Sequence, residues 1–378
     1  VDKKTSLLSV KARNIAPYTA GEQPRGGAFI KLNTNENPYP PSPSVLRAAA
    51  SFDYGRFRKY PDIEASVLRD LIASRNGLSP GNIVCGNGSD EILAFCFQAF
   101  FDTADGEAVY FPDITYSFYK VWCGLYSLNY FTPPVDVNFE IDTADYCNNG
   151  QLKDKPRPAG VALANPNAPT GIVKPVSEIE KIIAANPETV VIVDEAYGAF
   201  SNETCLPLIK KYKNLCVVQT FSKSYSMAGL RVGFAAADPA LIDGIKKIRD
   251  SFNSYPLDCF AAEMSAAAYA DGAYLKKTAD KIIRTREKLS ADLRKIGFTV
   301  LPSGANFVFV NKPGVSGEAL CAGLRSSGIL VRRFAEPRIA DWLRITIGTT
   351  AETSKVSEAL KLLTSRPSFQ SKNDTNSL

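Results

Sequence analysis

Between residues 80 and 250 the chain alternates short apolar runs with stretches of helical periodicity, and that alternation narrows the fold more than any other feature. Runs at 83–85, 108–111, 160–164, 190–193, 215–220 and 232–236 carry almost no charge, as strands do when helices cover both faces of a sheet. Helical stretches are expected at 90–101, 114–123, 176–185 and 240–248. Strand, helix and strand in succession make β-α-β units, and their repetition gives an α/β fold with a mostly parallel central sheet. Beyond residue 250 the texture changes. One long helical stretch (261–295) precedes strand-like 298–301, 307–310, 329–332 and 343–347 and helical 317–326 and 352–363, which reads as a smaller α+β domain joined by a long helix. The expected division is 1–44 as an N-terminal arm and part of the small domain, 45–255 as a large domain and 256–366 as the small one. The polar tail, 367–378, is expected to be poorly ordered.

Among the 378 residues there is no histidine. Ser-His-Asp and Cys-His catalysis, His-ligated zinc and His-ligated haem are therefore excluded within the chain, and no metal site is expected. A composition of 45% hydrophobic and 22% charged residues rules out a disordered chain. The net charge of +5 is small and scattered, which argues against nucleic acid or a membrane surface as partner and leaves small anions open. Eight cysteines without a C-x-x-C, several inside apolar runs such as Ala94-Phe95-Cys96-Phe97, read as reduced, buried thiols. With no apolar stretch near the ~18–20 residues of a membrane span, and no signal-like segment after Val1-Asp2-Lys3-Lys4, the expected location is the cytoplasm.

Three segments carry chemistry. Ile83-Val84-Cys85-Gly86-Asn87-Gly88-Ser89-Asp90 runs a strand into a glycine-rich turn and a helix, where backbone N–H groups and the helix dipole converge on a place for a phosphate. Taken alone, such a turn is more often just a capped helix start. Val190-Val191-Ile192-Val193-Asp194-Glu195-Ala196-Tyr197 puts an acid at the carboxyl end of a buried strand, where such sheets bind ligands, although a helix cap would look the same. A carboxylate there needs a cationic partner or strong hydrogen bonds. In the third segment, Ser222-Lys223 ends a strand and Arg231 follows eight residues later. A lone lysine is ordinarily a solvated surface group, but a desolvated one is a nucleophilic amine. Phosphate cradle, strand-end acid and strand-end lysine, in that order, are the parts that pyridoxal 5'-phosphate requires.

Asn165-Pro166-Asn167-Ala168-Pro169-Thr170-Gly171, Asp194-Glu195-Ala196-Tyr197 and Ser222-Lys223-(x)7-Arg231 resemble the signatures of fold-type I pyridoxal-phosphate aminotransferases. Leu32-Asn33-Thr34-Asn35-Glu36-Asn37-Pro38, Tyr60-Pro61-Asp62, Gly86 to Glu91 and Leu343 to Thr349 are similar to the histidinol-phosphate aminotransferase branch, and the resemblance spans roughly residues 15 to 363. It implies Lys223 as the residue that bonds the cofactor and moves the substrate's proton, Asp194 as partner of the pyridine nitrogen, and Tyr197 at the phenolic oxygen. Tyr116 would stack on the ring. Gly88, Ser89 and Asp90 by backbone, with Ser222 and Arg231 by side chain, would hold the phosphate, and Tyr60 would reach the cofactor phosphate of a neighbouring subunit in a homodimer. Arg344 would bind the substrate's anionic group, with Arg332 and Tyr18 at its phosphate and Asn33 close by.

Two departures stand out. Where the family usually carries Asn before Pro-Thr-Gly, this chain has Ala168, with Asn167 as the expected substitute; and two residues separate Pro112 from Thr115 where Pro-Thr-Tyr is common. The implied reaction exchanges an amino group between histidinol phosphate and 2-oxoglutarate. Its rivals are an aromatic or other amino-acid aminotransferase and a lyase such as a decarboxylase of a phosphorylated amino acid. A cofactor-sensing regulator is the non-enzymatic alternative, and it would need a DNA-binding segment that the loop-rich first ~40 residues do not offer.

Overall fold

The apolar runs become strands buried on both faces. The computed structural model describes residues 7–24, 26, 29–147 and 155–365. In chain order these form α1 (Val10–Asn14), β1 (Ile30–Lys31), α2 (Pro43–Ala50), α3 (Ser66–Arg75), β2 (Ile83–Gly86), α4 (Gly88–Phe100), β3 (Glu107–Tyr110) and α5 (Phe118–Tyr126). Next come β4 (Tyr130–Phe131), β5 (Arg157–Ala164), α6 (Val176–Ala185), β6 (Val191–Asp194), β7 (Leu215–Thr220), β8 (Gly233–Ala237) and α7 (Pro239–Phe252). The last part holds α8 (Cys259–Ala270), α9 (Gly272–Lys295), β9 (Thr299–Val300), β10 (Phe307–Asn311), α10 (Gly317–Ser326), β11 (Ile329–Leu330), β12 (Arg332–Arg333), β13 (Trp342–Thr346) and α11 (Thr350–Thr364).

The central sheet has seven strands in the order β2-β8-β7-β6-β5-β3-β4. All neighbours pair in parallel except β8, which runs against both β2 and β7. Alternate residues of β6 and β7 feed opposite cores. Val191, Val193, Leu215 and Val217 pack on one face and Ile192, Cys216 and Val218 on the other, all fully buried. Each such side chain contributes roughly 1.5–3 kcal/mol, which is why these strands carry no charge until they end. β6 ends at Asp194, opposite Val218, and β7 runs two residues further to Thr220, so Asp194 and the Ser222-Lys223 turn lie at the same edge of the sheet.

A four-stranded antiparallel sheet, β12-β13-β10-β9, forms a second core with Ile282, Leu289 and Leu293 of α9 and Val356 and Leu360 of α11. β1 pairs in parallel with β11, so the N-terminal segment joins this C-terminal unit. No helix among the described residues is long and apolar enough to cross a membrane. Six of the eight cysteines are buried, and none is bonded to another.

Three expectations are corrected. The helix expected at 114–123 begins only at Phe118, because Ile114 and Thr115 are occupied with hydrogen bonds to Asn167. The single helix expected over 261–295 is two. Asp271 leaves the helical region (φ −95°, ψ 61°) and its carboxylate accepts the Tyr274 N–H at 3.1 Å, capping α9. α8 then packs on the large sheet's core, α9 on the small one. The strand expected at 329–332 divides at Val331, its halves pairing with different sheets. The tail expected to be disordered, 367–378, lies outside the described residues.

Candidate active site

At the end of β2 the chain turns through Gly88, whose φ of +81° favours glycine and whose lack of a Cβ leaves room for the end of the Arg231 side chain. A Cβ there would lie 2.6 Å from Arg231 Nη2. α4 starts at this turn with no side-chain cap, so the N–H groups of Gly88, Ser89 and Asp90 are left for an anion at the positive end of the helix dipole. Arg231, itself left-handed at φ +56°, donates to Ser222 Oγ at 3.3 Å and to Asp90 Oδ2 at 3.3 Å. Tyr116 Oη donates to Asp90 Oδ1 at 2.7 Å, which ties the Tyr116 ring to the same corner. Gly88, Ser89, Asp90, Ser222, Arg231 and Tyr116 are thus brought together as the sequence implies.

Asp194 terminates β6 and is 5% exposed. Among the described residues its oxygens accept only the Ala196 N–H at 3.0 Å and the Tyr119 hydroxyl at 3.3 Å, and it has no ion-pair partner there. Burial, with the charge of Asp90 adding to it, raises its pKa from 3.8 to about 7. Its neighbour Glu195 shows the contrast: equally buried, it accepts from Thr204 Oγ1, the Cys205 N–H and Gln219 Nε2 and is satisfied by the protein. Asp194 is the carboxylate left wanting a cationic donor, and a protonated pyridine nitrogen is such a group.

Lys223, half-buried, donates from Nζ to the Thr34 carbonyl at 3.1 Å. Burial first, and then the charge of Arg344, lower its pKa from 10.5 to about 8, so a neutral amine is accessible near physiological pH. Tyr197 sits edge-on to Phe307 with ring centres 5.1 Å apart, and its oxygen accepts Asn35 Nδ2 at 2.8 Å. Burial raises its pKa.

Arg344 and Arg332 face each other across the β12–β13 pairing. Arg344 donates Nη2 to the Asn33 carbonyl at 3.1 Å while its Nε, buried, has no partner. Among the described residues Arg332 donates only to the carbonyls of Thr19 and Ala20. Neither pairs with a carboxylate among the described residues, and both border a cavity of about 1100 Å³ whose wall includes Tyr18, Tyr116, Ala168 and Phe334. Two guanidinium groups beside an open cavity, ion-paired with no carboxylate among the described residues, have the chemistry to receive a small anion.

One implied residue is placed otherwise than expected. Asn167 has no amide hydrogen free for a cofactor: Nδ2 donates to Ile114 O at 3.0 Å and Thr170 Oγ1 at 3.2 Å, and Oδ1 accepts Thr115 Oγ1 at 2.8 Å. Asn33 meets the site through its carbonyl, its own amide being turned to Glu22 O. Tyr60 lies on the surface, 82% exposed and stacked on Tyr255 with centroids 4.6 Å apart. Sequence reasoning missed Tyr119, Thr34 and Asn35. Tyr119 could have been found as the aromatic three residues beyond Tyr116, one helical turn on; Thr34 acts by a carbonyl and had no side-chain signal.

A family model described as aminotransferase class I and II matches residues 28–360. Histidinol-phosphate aminotransferase 1 of Bordetella parapertussis is 49% identical over 92% of this chain and 96% of its own length. The histidinol-phosphate aminotransferase of Acetobacter pasteurianus is 48% identical over 92% of this chain and 95% of its own length. Among solved structures, histidinol-phosphate aminotransferase from Sinorhizobium meliloti in complex with pyridoxal-5'-phosphate superposes with a TM-score of 0.82 at 25% identity, covering 96% of this chain and 98% of that one.

Proposed function

The chain belongs to the histidinol-phosphate aminotransferase family, a branch of the class I and II aminotransferases, and from that premise we propose that it moves an amino group from L-histidinol phosphate to 2-oxoglutarate. The products are imidazole-acetol phosphate and L-glutamate. Pyridoxal 5'-phosphate is the cofactor, and when bound it supplies an electron-withdrawing ring that stabilises negative charge at the substrate carbon.

The residues that would hold it are those already gathered. The first N–H groups of α4, Ser222 and Arg231 suit its phosphate. Asp194 suits the protonated ring nitrogen and Tyr197 the phenolic oxygen. Tyr116 would cover a ring face. Lys223 Nζ, with its lowered proton affinity, would bond the cofactor at rest and act as the base that takes the substrate's Cα proton. The large sheet's domain would thus carry the cofactor and the small sheet's domain the arginines, with Tyr18 beside them.

The observation that carries the substrate reading is the opposed pair Arg332 and Arg344 at the cavity wall. One arginine suffices for a carboxylate; two side by side suit a phosphate dianion, with Arg344 serving the carboxylate of 2-oxoglutarate in the second half of the cycle. The test compares kcat/KM for L-histidinol phosphate and for L-histidinol. A fall of about a hundredfold or more without the phosphate is expected; equal values, or preference for an aromatic amino acid, would overturn the reading.

A homodimer is part of the same proposal. Tyr54, Phe57, Tyr60 and Phe252 are each more than half exposed, and exposed aromatic side chains such as the touching Tyr54 and Phe57 support an interface. Tyr60 on that surface would reach the partner's cofactor phosphate. Co-expressed Tyr60→Ala and Lys223→Ala chains, each inactive as a homodimer, should form heterodimers with one working site; no recovery of activity would count against Tyr60 crossing over. The free, mostly buried thiols support a reducing, cytoplasmic setting.

A further inference from the structure

At position 168, where the sequence places alanine, no amide reaches the cavity, and the amide of Asn167 is spent on Ile114 and Thr170. An amide does reach the cofactor side from the other direction. Asn35 is 1% exposed and held in the left-handed conformation (φ +57°) that asparagine tolerates better than other non-glycine residues. Its N–H donates to Thr346 Oγ1 at 3.0 Å, Thr346 Oγ1 donates back to Asn35 Oδ1 at 3.1 Å, and Asn306 Nδ2 donates to the Asn35 carbonyl at 2.9 Å. Asn35 Nδ2 then lies 2.8 Å from Tyr197 Oη.

This clamp fixes which way the amide faces. Were it reversed, the buried Thr346 hydroxyl would face two donors, Asn35 N–H and Nδ2, and its own proton would have no acceptor among the described residues. With Oδ1 committed to Thr346, Nδ2 must donate to Tyr197. A phenol has one proton. Because Tyr197 Oη accepts from Asn35, its own O–H is left to donate to another partner.

We propose that Asn35 is a positioning residue that forces Tyr197 to act as a hydrogen-bond donor toward the phenolic oxygen of the cofactor, acting through the tyrosine in a chain that has alanine at 168. The inference rests on the reading of Tyr197 as the residue at that oxygen. Asn35 touches neither substrate nor cofactor; it sets the direction of one proton. Neutralising the cofactor's phenolate depends on that proton, so both cofactor affinity and the pH at which its visible absorption changes depend on Asn35.

The test uses purified holoenzyme and four variants: Asn35→Gly, which accepts the left-handed backbone without an amide; Asn35→Asp, whose acceptor-only carboxylate would capture the Tyr197 proton; Tyr197→Phe; and the double variant Asn35→Gly/Tyr197→Phe. The readouts are the midpoint pH of the visible absorption and the Kd for pyridoxal phosphate added back to apoenzyme, with thermal unfolding of the apoenzymes as control. Tyr197→Phe should raise the midpoint and weaken cofactor binding by about tenfold. Asn35→Gly should move both the same way by a smaller factor, Asn35→Asp by at least as much as Tyr197→Phe, and the double variant should match Tyr197→Phe alone. If Tyr197→Phe leaves the midpoint unmoved, the reading of Tyr197 fails. If Tyr197→Phe moves it but Asn35→Gly does not, or if the two effects add in full, the positioning role fails and the reading of Tyr197 stands. A variant that lowers apoenzyme stability without moving the midpoint has only a structural role, which also refutes the proposal.

Discussion

Replacing Asp194 by asparagine should stabilise the apoenzyme and cripple the holoenzyme. In the folded apoprotein this carboxyl titrates near 7, against 3.8 for a free one. Between those values the folded chain holds a proton that the unfolded chain has lost, so the contribution to stability is fully present below about 4 and is gone as pH rises through about 7. At pH 8 the ionised, buried carboxylate costs the apoprotein about 4 kcal/mol; at pH 5 the cost is under ~2 kcal/mol. Asparagine pays no ionisation cost while its oxygen can still accept the Ala196 N–H or the Tyr119 hydroxyl. Chemical denaturation of the two apoproteins at pH 8 should favour Asp194→Asn by about 2–4 kcal/mol, and the gap should close as pH is lowered to 5. Saturating pyridoxal phosphate should reverse the order, because a neutral amide cannot pair with a protonated ring nitrogen and ligand stabilisation follows affinity. An apo Asp194→Asn less stable than the parent at pH 8, or an advantage independent of pH, would refute the reasoning.

Arg332→Gln should raise the KM for the phosphate-bearing donor about 10- to 100-fold and affect 2-oxoglutarate much less, in steady-state kinetics with each substrate varied. Gly88→Ala places a Cβ 2.6 Å from Arg231 Nη2 at a φ of +81°; cofactor titration of the apoprotein should show Kd raised at least about tenfold, with a loss of apoprotein stability of only ~1–2 kcal/mol. Arg249, 1% exposed, pairs with Glu64 and Asp250 at 2.8 Å. Glu64 keeps Lys246 at 2.7 Å and Arg69 at 3.4 Å, so Arg249→Met strands neither carboxylate, and urea denaturation should show a loss of only about 1–2 kcal/mol.

The large sheet was legible because its strands are buried on both faces, which forbids charge until the strand ends; Asp194 and Lys223 announce themselves as the places where charge resumes. The glycine turn at Gly88 was legible for a related reason, since only a few backbone shapes carry a strand into a helix over so few residues. What could not be read was carried by backbone groups and by long-range pairing. Thr34 meets Lys223 through a carbonyl, and Asn35 meets Tyr197 across 162 positions of sequence. The break at Asp271 lies between two stretches rich in helix-forming residues, so propensity alone merged α8 with α9. Asn167 was expected to replace the missing amide because it is adjacent in sequence; its hydrogen-bond partners decide otherwise.

The most direct test of the whole account is to supply the purified protein with L-histidinol phosphate and 2-oxoglutarate and to measure glutamate. Glutamate should form in step with loss of the amino donor, and Lys223→Ala should abolish both this and the cofactor's covalent attachment. Carbon dioxide released from a phosphorylated amino acid, with no glutamate formed from L-histidinol phosphate and 2-oxoglutarate, would contradict it.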